Sequence, residues 1–299
     1  MFLRPAIVLL LLIGFASAHA HAAQPKHDKD FWRGILKQHA AVPENESADA
    51  LAHELSAMLA SPDPELRDDL AYSILATWIY RGNVLSTPTL IALTDEWRTN
   101  LKSGIGESGT DSVLKRSFSA LCLSEIARRE VKSPFLGPER YHNLVAEAVA
   151  YLQDEHDLRG YDRSLHWIHA TAHTGDLLAA LSDNPQLTKQ EADAILQAIR
   201  ARLATATEVF TQGEQDRLAA AAVSVIRRKE FDGSEFSPWL ARFQEEDRDI
   251  WTHTTPESLA RFQNHNYLLQ ALTVRILMEP DSPLMYDHRQ QVVQVLSKR

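Results

Sequence analysis

The sequence predicts an all-α protein, because its apolar residues recur with helical spacing and the usual signals for β-strands are missing. Over most of the chain, apolar residues fall at positions i, i+3, i+4 and i+7, which places them on one face of a helix. No run of alternating β-branched residues and no Asn-Gly hairpin turn occurs. Eleven glycines in 299 residues suit helices joined by short turns. We therefore predict about a dozen antiparallel helices stacked in a HEAT-like helical-repeat domain.

The first eighteen residues have the features of a cleavable signal peptide. Arg4 precedes the apolar run 6–15, and Ala16, Ser17 and Ala18 then give the small-residue pattern that signal peptidase recognises. We expect an exported protein, periplasmic or secreted, that retains no membrane span once the signal is removed. Residues 19–29 are polar and without periodicity, so we expect a disordered linker before a single all-helical domain over 30–299.

Charge and cysteine content exclude several classes of protein. The formal net charge of −9, with the arginines scattered along the chain, argues against a nucleic-acid-binding protein. Cys122 is the one cysteine, which rules out an internal disulfide and a multi-cysteine metal site. It lies in an apolar run, where we expect a small buried thiol.

Helical periodicity divides the domain into consecutive segments. Ser61 and Asp63 beside Pro64 give helix-start chemistry, and Gly82 gives a stop. The predicted helices are 48–60, 64–81, 89–102, 112–131, 138–153, 163–181, 188–206, 214–228, 237–247, 256–278 and 288–298.

The densest group of reactive side chains lies in the predicted helix 163–181. At about 100° per residue, His166, His169, His173 and Asp176 fall within an arc of roughly 80° and form one row. Most of the remaining surface of this helix is apolar or small. We therefore expect the row to line a cleft or an internal polar layer rather than a solvated face.

Three interpretations of this row stay open. The histidines are hydrogen-bonded core residues, or they face a ligand pocket, or His169 and His173 bind a divalent metal such as zinc. An i, i+4 histidine pair suits one edge of a tetrahedral site, and a third ligand would then be needed. His166, Asp176 or a distant histidine such as His142 or His265 could supply it.

The loop before this helix adds further candidates. Arg159 could hold a carboxylate or phosphate through two hydrogen bonds, or it could pair with Asp157 within the loop. Gly160 permits a tight backbone beside Tyr161. The candidate pocket residues are Asp157, Arg159, Tyr161, Trp167, His169, His173 and Asp176.

Taken together, the run Asp157-x-Arg159-Gly160-Tyr161 and the run from Trp167 through His169-Ala-x-Ala-His173 to Asp176 resemble the bacterial domain of unknown function 2785. Further segments similar to that family begin at Asp63, Arg116, Gly213 and Asn264, so that the resemblance covers nearly the whole mature chain. It implies one all-helical domain and brings no established activity. In the family pattern, glycine usually stands at the position of His166 and alanine at that of Gly175, so His166 is the weakest member of the row.

Arg116 and Arg217 each lie in a largely apolar predicted helix. For each arginine, two interpretations stay open: it pairs with a nearby carboxylate, or it reaches the same cleft as His173.

These patterns favour an exported helical-repeat protein that binds a peptide, a glycan or a small molecule in a cleft lined by histidine and aspartate. The alternative is a hydrolase or lyase, in one version zinc-dependent, that uses the same row of side chains. Neither a GxSxG nucleophile elbow nor a glycine-rich phosphate loop occurs in the sequence.

Overall fold

A computed structural model describes residues 26–231, 234–280 and 282–299 of the chain. The predicted signal peptide and most of the predicted linker lie outside these residues. The all-α prediction is confirmed: the described residues form twelve α-helices, two π-helical segments and one small β-hairpin.

The helices follow one another with short connections. They are α1 (Lys29–Lys37), α2 (Ala48–Met58), α3 (Ser73–Ala76), α4 (Thr87–Asn100), α5 (Ser112–Lys132), α6 (Gly137–Asp154), α7 (Ala170–Ser182), α8 (Lys189–Thr205), α9 (Glu214–Ile226), α10 (Phe236–Glu246), α11 (Pro256–Met278) and α12 (Pro283–Leu296). The π-helical segments Glu65–Tyr72 and Thr77–Arg81 flank α3 directly, so that residues 65–81 form one continuous helical stretch. Strands β1 (Tyr161–Asp162) and β2 (His166–Trp167) pair antiparallel.

Side-chain caps explain where several helices begin. Ser47, Ser86 and Ser282 each accept a hydrogen bond from the backbone N–H three residues further on. Thr188 and Glu191 form a reciprocal capping box at the start of α8. Each cap satisfies a donor that the first turn of a helix leaves unpaired.

The end of the predicted linker is part of the fold. Asp28 caps α1, which begins at Lys29, one residue inside the segment that we expected to be disordered. His27 Nδ1 lies 2.9 Å from Glu54 Oε2 and its ring stacks on Phe31, so the entry to α1 is anchored on α2.

The helices pack as two rows. Helices α5, α7, α9 and α11 contact one another in sequence, and α6, α8, α10 and α12 do the same. The pairs α4–α5, α6–α7, α8–α9 and α11–α12 join the rows. Contacts to the next helix and the next but one are what a stack of helix pairs produces, although a HEAT-like repeat in particular stays a prediction. No helix among the described residues is both long and apolar enough to cross a membrane.

Helix α7 lies at the centre of the fold, between α5 and α9, and nearly every one of its residues is buried. A Cβ added at Gly175 would lie 3.0 Å from the backbone of Arg217 on α9. Glycine at this position therefore permits the close approach of the two backbones. The buried hydrophobic residues, Cys122 among them, form one continuous cluster from Trp32 to Val295.

The predicted helix over 163–181 is wrong in its first two turns. Residues 161–167 form the hairpin, and α7 begins only at Ala170. His166 (φ +56°) and His169 (φ +55°) both adopt the left-handed conformation, which interrupts any helix. The four side chains of the row therefore do not share one helix face, because only His173 and Asp176 lie on α7.

Hydrogen bonds outside the helix explain why the hairpin forms instead. The carboxylate of Asp162 accepts from the backbone N–H groups of Ser164 and Leu165, which closes the turn. The backbone N–H groups of Ile168 and His169 donate to the carbonyls of Gly160 and Arg159. These bonds pair backbone N–H and C=O groups that would otherwise be paired within a helix. The segment therefore need not be helical, although its apolar residues have helical spacing.

Substitutions at position 166 test this backbone conformation. We expect His166→Gly to be more stable than His166→Ala by about 1 kcal/mol, because a left-handed residue with a Cβ is strained whereas glycine is not. A helix interior gives the opposite order, alanine being more stable there by about 1 kcal/mol. Urea unfolding of the two variants measures the difference, and alanine proving the more stable would contradict the hairpin.

Candidate functional site

A fully buried arginine holds the hairpin in place. Arg67, on the first π-helical segment, donates to the carbonyl of Ser61 over 2.7 Å and to that of Trp167 over 3.1 Å, and it also donates to the carbonyl of Leu165. Its guanidinium carbon lies 4.8 Å from the centre of the Phe118 ring. Because an unpaired buried carbonyl is costly, the guanidinium stabilises both ends of strand β2.

Five aromatic side chains contact one another in series from the surface to the core. His166 stacks on Tyr161, Tyr161 meets Trp167 edge to face, and Trp167 stacks on His169 with ring centroids 4.8 Å apart. His169 then contacts His173 edge to face. Tyr161 is 48% exposed and Trp167 is 38% exposed, whereas His169 and His173 are buried. We call the exposed part, Tyr161, His166 and Trp167, the aromatic surface.

Hydrogen bonding determines which nitrogen of His169 carries the proton. Nε2 lies 3.1 Å from the carbonyl oxygen of Gln212. A carbonyl can only accept, so Nε2–H is the donor and Nδ1 keeps its lone pair when the ring is neutral. Burial lowers the pKa of His169, and the neighbouring charge of Glu214 opposes that shift.

His173 has the opposite tautomer. Ser117 donates its one hydroxyl proton to the carbonyl of Ile168, and its oxygen lies 2.8 Å from His173 Nδ1. The serine oxygen must therefore accept from Nδ1–H, which leaves the lone pair on Nε2. Burial lowers the pKa of His173 well below its ordinary value, and nearby His169 and Arg217 lower it further. Both imidazoles are neutral bases near pH 7.

Asp176 pairs with Arg217 of α9. Nη1 of the arginine lies 2.8 Å and 2.7 Å from the two carboxylate oxygens. Asp176 is buried, but the arginine side chain is 47% exposed. Arg217 is thus paired with a carboxylate, as one interpretation of this arginine predicted, and that carboxylate lies on the same helix as His173.

Glu214 is a buried carboxylate at this site. It accepts from the backbone N–H of Gln212 over 2.9 Å, and its other oxygen lies 3.5 Å from His169 Nε2. A Cβ at Gly160 would lie 2.6 Å from Glu214 Oε1 and from Gln212 Oε1, so any larger residue there would require these side-chain ends to shift.

Asp157 and Arg159 do not join this group through their side chains. Asp157 accepts from Arg159 Nη2 over 2.6 Å and from the backbone N–H of Gly109, while Arg159 also donates to the carbonyl of Thr110. They pair with each other, as one interpretation of the loop predicted. Arg116 is likewise paired, with buried Glu155.

The arrangement offers little to a metal ion. Among the residues that the structure describes, no group of three or more His, Cys, Asp or Glu side chains is placed to hold one. His142 and His265, considered as a third ligand, hydrogen-bond instead to Glu191 and Asp247. His169 and His173 do contact each other, with ring centroids 5.6 Å apart.

Four grooves among the described residues are lined by other side chains than this row, and one of them, of about 520 Å³, lies between α11 and α12. What the site presents to solvent is the aromatic surface with Arg217 beside it.

Sequence reasoning did not place Arg67, Ser117 and Glu214 in this site. All three positions do lie in segments that resemble the family, and this was the one available signal. Ser117 reaches His173 from α5, a contact between residues 56 positions apart that no local pattern indicates.

The fold and site together define an all-α protein of paired helices with an aromatic and histidine site on a short hairpin. The chain belongs to the family described as protein of unknown function DUF2785, whose model matches residues 101–274. That range includes the hairpin, α7 and Arg217, whereas Arg67 precedes it. No curated protein and no solved structure matches the chain.

The buried imidazoles predict how stability depends on pH. His173 is neutral when folded, whereas the unfolded chain takes up a proton as the pH falls below the ordinary pKa of about 6.5. The unfolded state then binds more protons than the folded state, so the free energy of unfolding decreases as the pH decreases. From pH 7.5 to 5.5 we expect His173 to contribute a loss of about 1 kcal/mol.

Urea unfolding at the two pH values measures this loss. His173→Asn should lessen the pH dependence whatever its effect on overall stability. His156→Asn serves as the control, because the exposed His156 is solvated in both states. If the pH dependence is unchanged in His173→Asn, the folded protein does not keep the His173 imidazole buried and uncharged.

Proposed function

We propose that this chain is an exported binding protein whose ligand contacts the aromatic surface. One observation carries the proposal: Tyr161 and Trp167 are held in the ring series while a large part of each ring faces solvent. Exposed Trp and Tyr rings are the side chains that most often dominate binding energy.

The backbone around these rings supports the proposal. The two left-handed histidines are strained, and a π-helical segment carries Arg67 beneath the hairpin. Strained residues and π-helical turns both concentrate at functional sites. A fold selected for stability alone would have little reason to retain them beside two exposed aromatic rings.

The export part of the proposal rests on the sequence of residues 1–18, with its short apolar run and its small residues at a cleavage point. The nature of the ligand follows from the site: a molecule with a flat apolar portion, such as part of a glycan or a peptide.

Trp167→Ala tests the proposed site. On an array of neutral oligosaccharides, acidic oligosaccharides and peptides, we expect the protein to retain at least one probe. Binding of that probe should fall at least tenfold in Trp167→Ala, because the exposed ring is lost while Arg67 still holds the backbone carbonyl.

Trp251→Ala is the matched control. Trp251 is 69% exposed, more than Trp167, and it contacts Phe262 in the C-terminal part of the chain. We expect this variant to bind like the wild type. Equal losses in both variants, or no retained probe at all, would refute the proposed site.

A second candidate function, a hydrolase or lyase, is favoured by the two neutral imidazoles. A lone pair on His169 Nδ1 or His173 Nε2 is a base of fixed position, and a histidine of lowered pKa stays deprotonated near neutral pH. A zinc-dependent version would use both nitrogens and a third ligand, yet Asp176 is already paired with Arg217.

Incubation of the bound array probe with the protein separates the two functions. Under the binding proposal, mass spectrometry should recover the probe intact, and elemental analysis should find no stoichiometric zinc. Turnover, or bound zinc, that disappears in His173→Asn would replace binding with the enzymatic function.

A further inference from the structure

Several polar atoms beside the aromatic surface make no hydrogen bond to any described residue. They are His169 Nδ1, His173 Nε2, the Nε and Nη2 atoms of Arg217, the indole N–H of Trp167 and the hydroxyl of Tyr161. Two are neutral acceptors, and the arginine and indole groups are donors. A ligand on the aromatic surface can accept from the arginine and indole groups and can both donate to and accept from the Tyr161 hydroxyl.

The charges around the site nearly balance. The charged residues of the hairpin and its surroundings include the cations Arg67, Arg159, Arg163 and Arg217 and the anions Asp68, Asp157, Asp162, Asp176 and Glu214. Arg217 is already neutralised by Asp176, and the Arg67 guanidinium is fully buried against carbonyl groups. These anions outnumber these cations by one, so the site as a whole offers an anionic ligand no net attraction.

The two exposed rings form a corner. The Tyr161 and Trp167 planes meet at 76° with their centroids 5.0 Å apart. Aromatic faces are negative and attract the slightly positive hydrogens of C–H groups. A flat molecule with C–H groups on one face and hydroxyls around its rim can therefore stack on one ring and direct its hydroxyls to the Tyr161 hydroxyl and the Trp167 indole N–H.

A pyranose ring has this distribution of groups. Its C–H face is apolar, and its equatorial hydroxyls donate and accept in the plane of the ring. We infer that the aromatic surface binds a neutral pyranose unit of a glycan. This inference rests on the proposed function, because it names the class of ligand for the same site.

Four probes test the inference by titration calorimetry with the purified protein. They are a β-1,4-linked glucose hexasaccharide, the corresponding N-acetylglucosamine hexasaccharide, a hexasaccharide of uronic acids, and a proline-rich decapeptide. We expect at least one neutral hexasaccharide to bind at least tenfold more tightly than the uronic acid hexasaccharide and the peptide. Trp167→Ala should weaken that binding at least tenfold, and Trp251→Ala should not.

Trp167→Phe is the control for misfolding of the alanine variant. Phenylalanine keeps an aromatic face, so this variant should retain more affinity than Trp167→Ala. Tighter binding of the uronic acid hexasaccharide or of the peptide, still dependent on Trp167, would overturn the sugar inference and leave the binding function standing. Absence of binding by both neutral hexasaccharides would overturn the sugar inference, whereas the binding function fails only if no array probe depends on Trp167.

Discussion

The burial of α7 on all sides is the constraint on which the rest of the structure depends. A helix between two others has no solvated face, so each polar residue on it must be paired inside the protein. His173 is bonded to Ser117 and Asp176 to Arg217. Gly175 allows α9 to come close enough for the second pair to form. The packing of the core thus fixes the side chains that lie beneath the aromatic surface.

Most helices were predictable because their signals are local. Thr188 with Glu191, and Pro64 after Asp63, lie within a few positions of the boundaries that they set. The hairpin was not predictable in this way, because the guanidinium that holds its carbonyls comes from Arg67, 98 positions before Leu165. Helical periodicity continues through this segment, but tertiary hydrogen bonds override it.

The candidate site was predictable in composition more than in geometry. His169, His173 and Trp167 are in contact, although two of them lie outside the helix that suggested the grouping. Asp157 and Arg159 carry charged groups that could also bind a ligand, but they pair with each other and stabilise a loop. Sequence cannot separate these cases, because whether a charged group serves a ligand or a neighbouring carbonyl depends on what packs against it. Arg202, buried against three carbonyls at the end of α6, is another structural example.

Since the rings of the hairpin are stacked before any ligand arrives, their contribution to binding differs from that of mobile side chains. A free aromatic or arginine side chain loses rotamer entropy when it is immobilised, about 0.5–1.5 kcal/mol for each group. Trp167, wedged against His169, has already lost that freedom during folding. Association at this surface should accordingly proceed without a slow rearrangement, and affinity should vary mainly with the rate at which the ligand leaves.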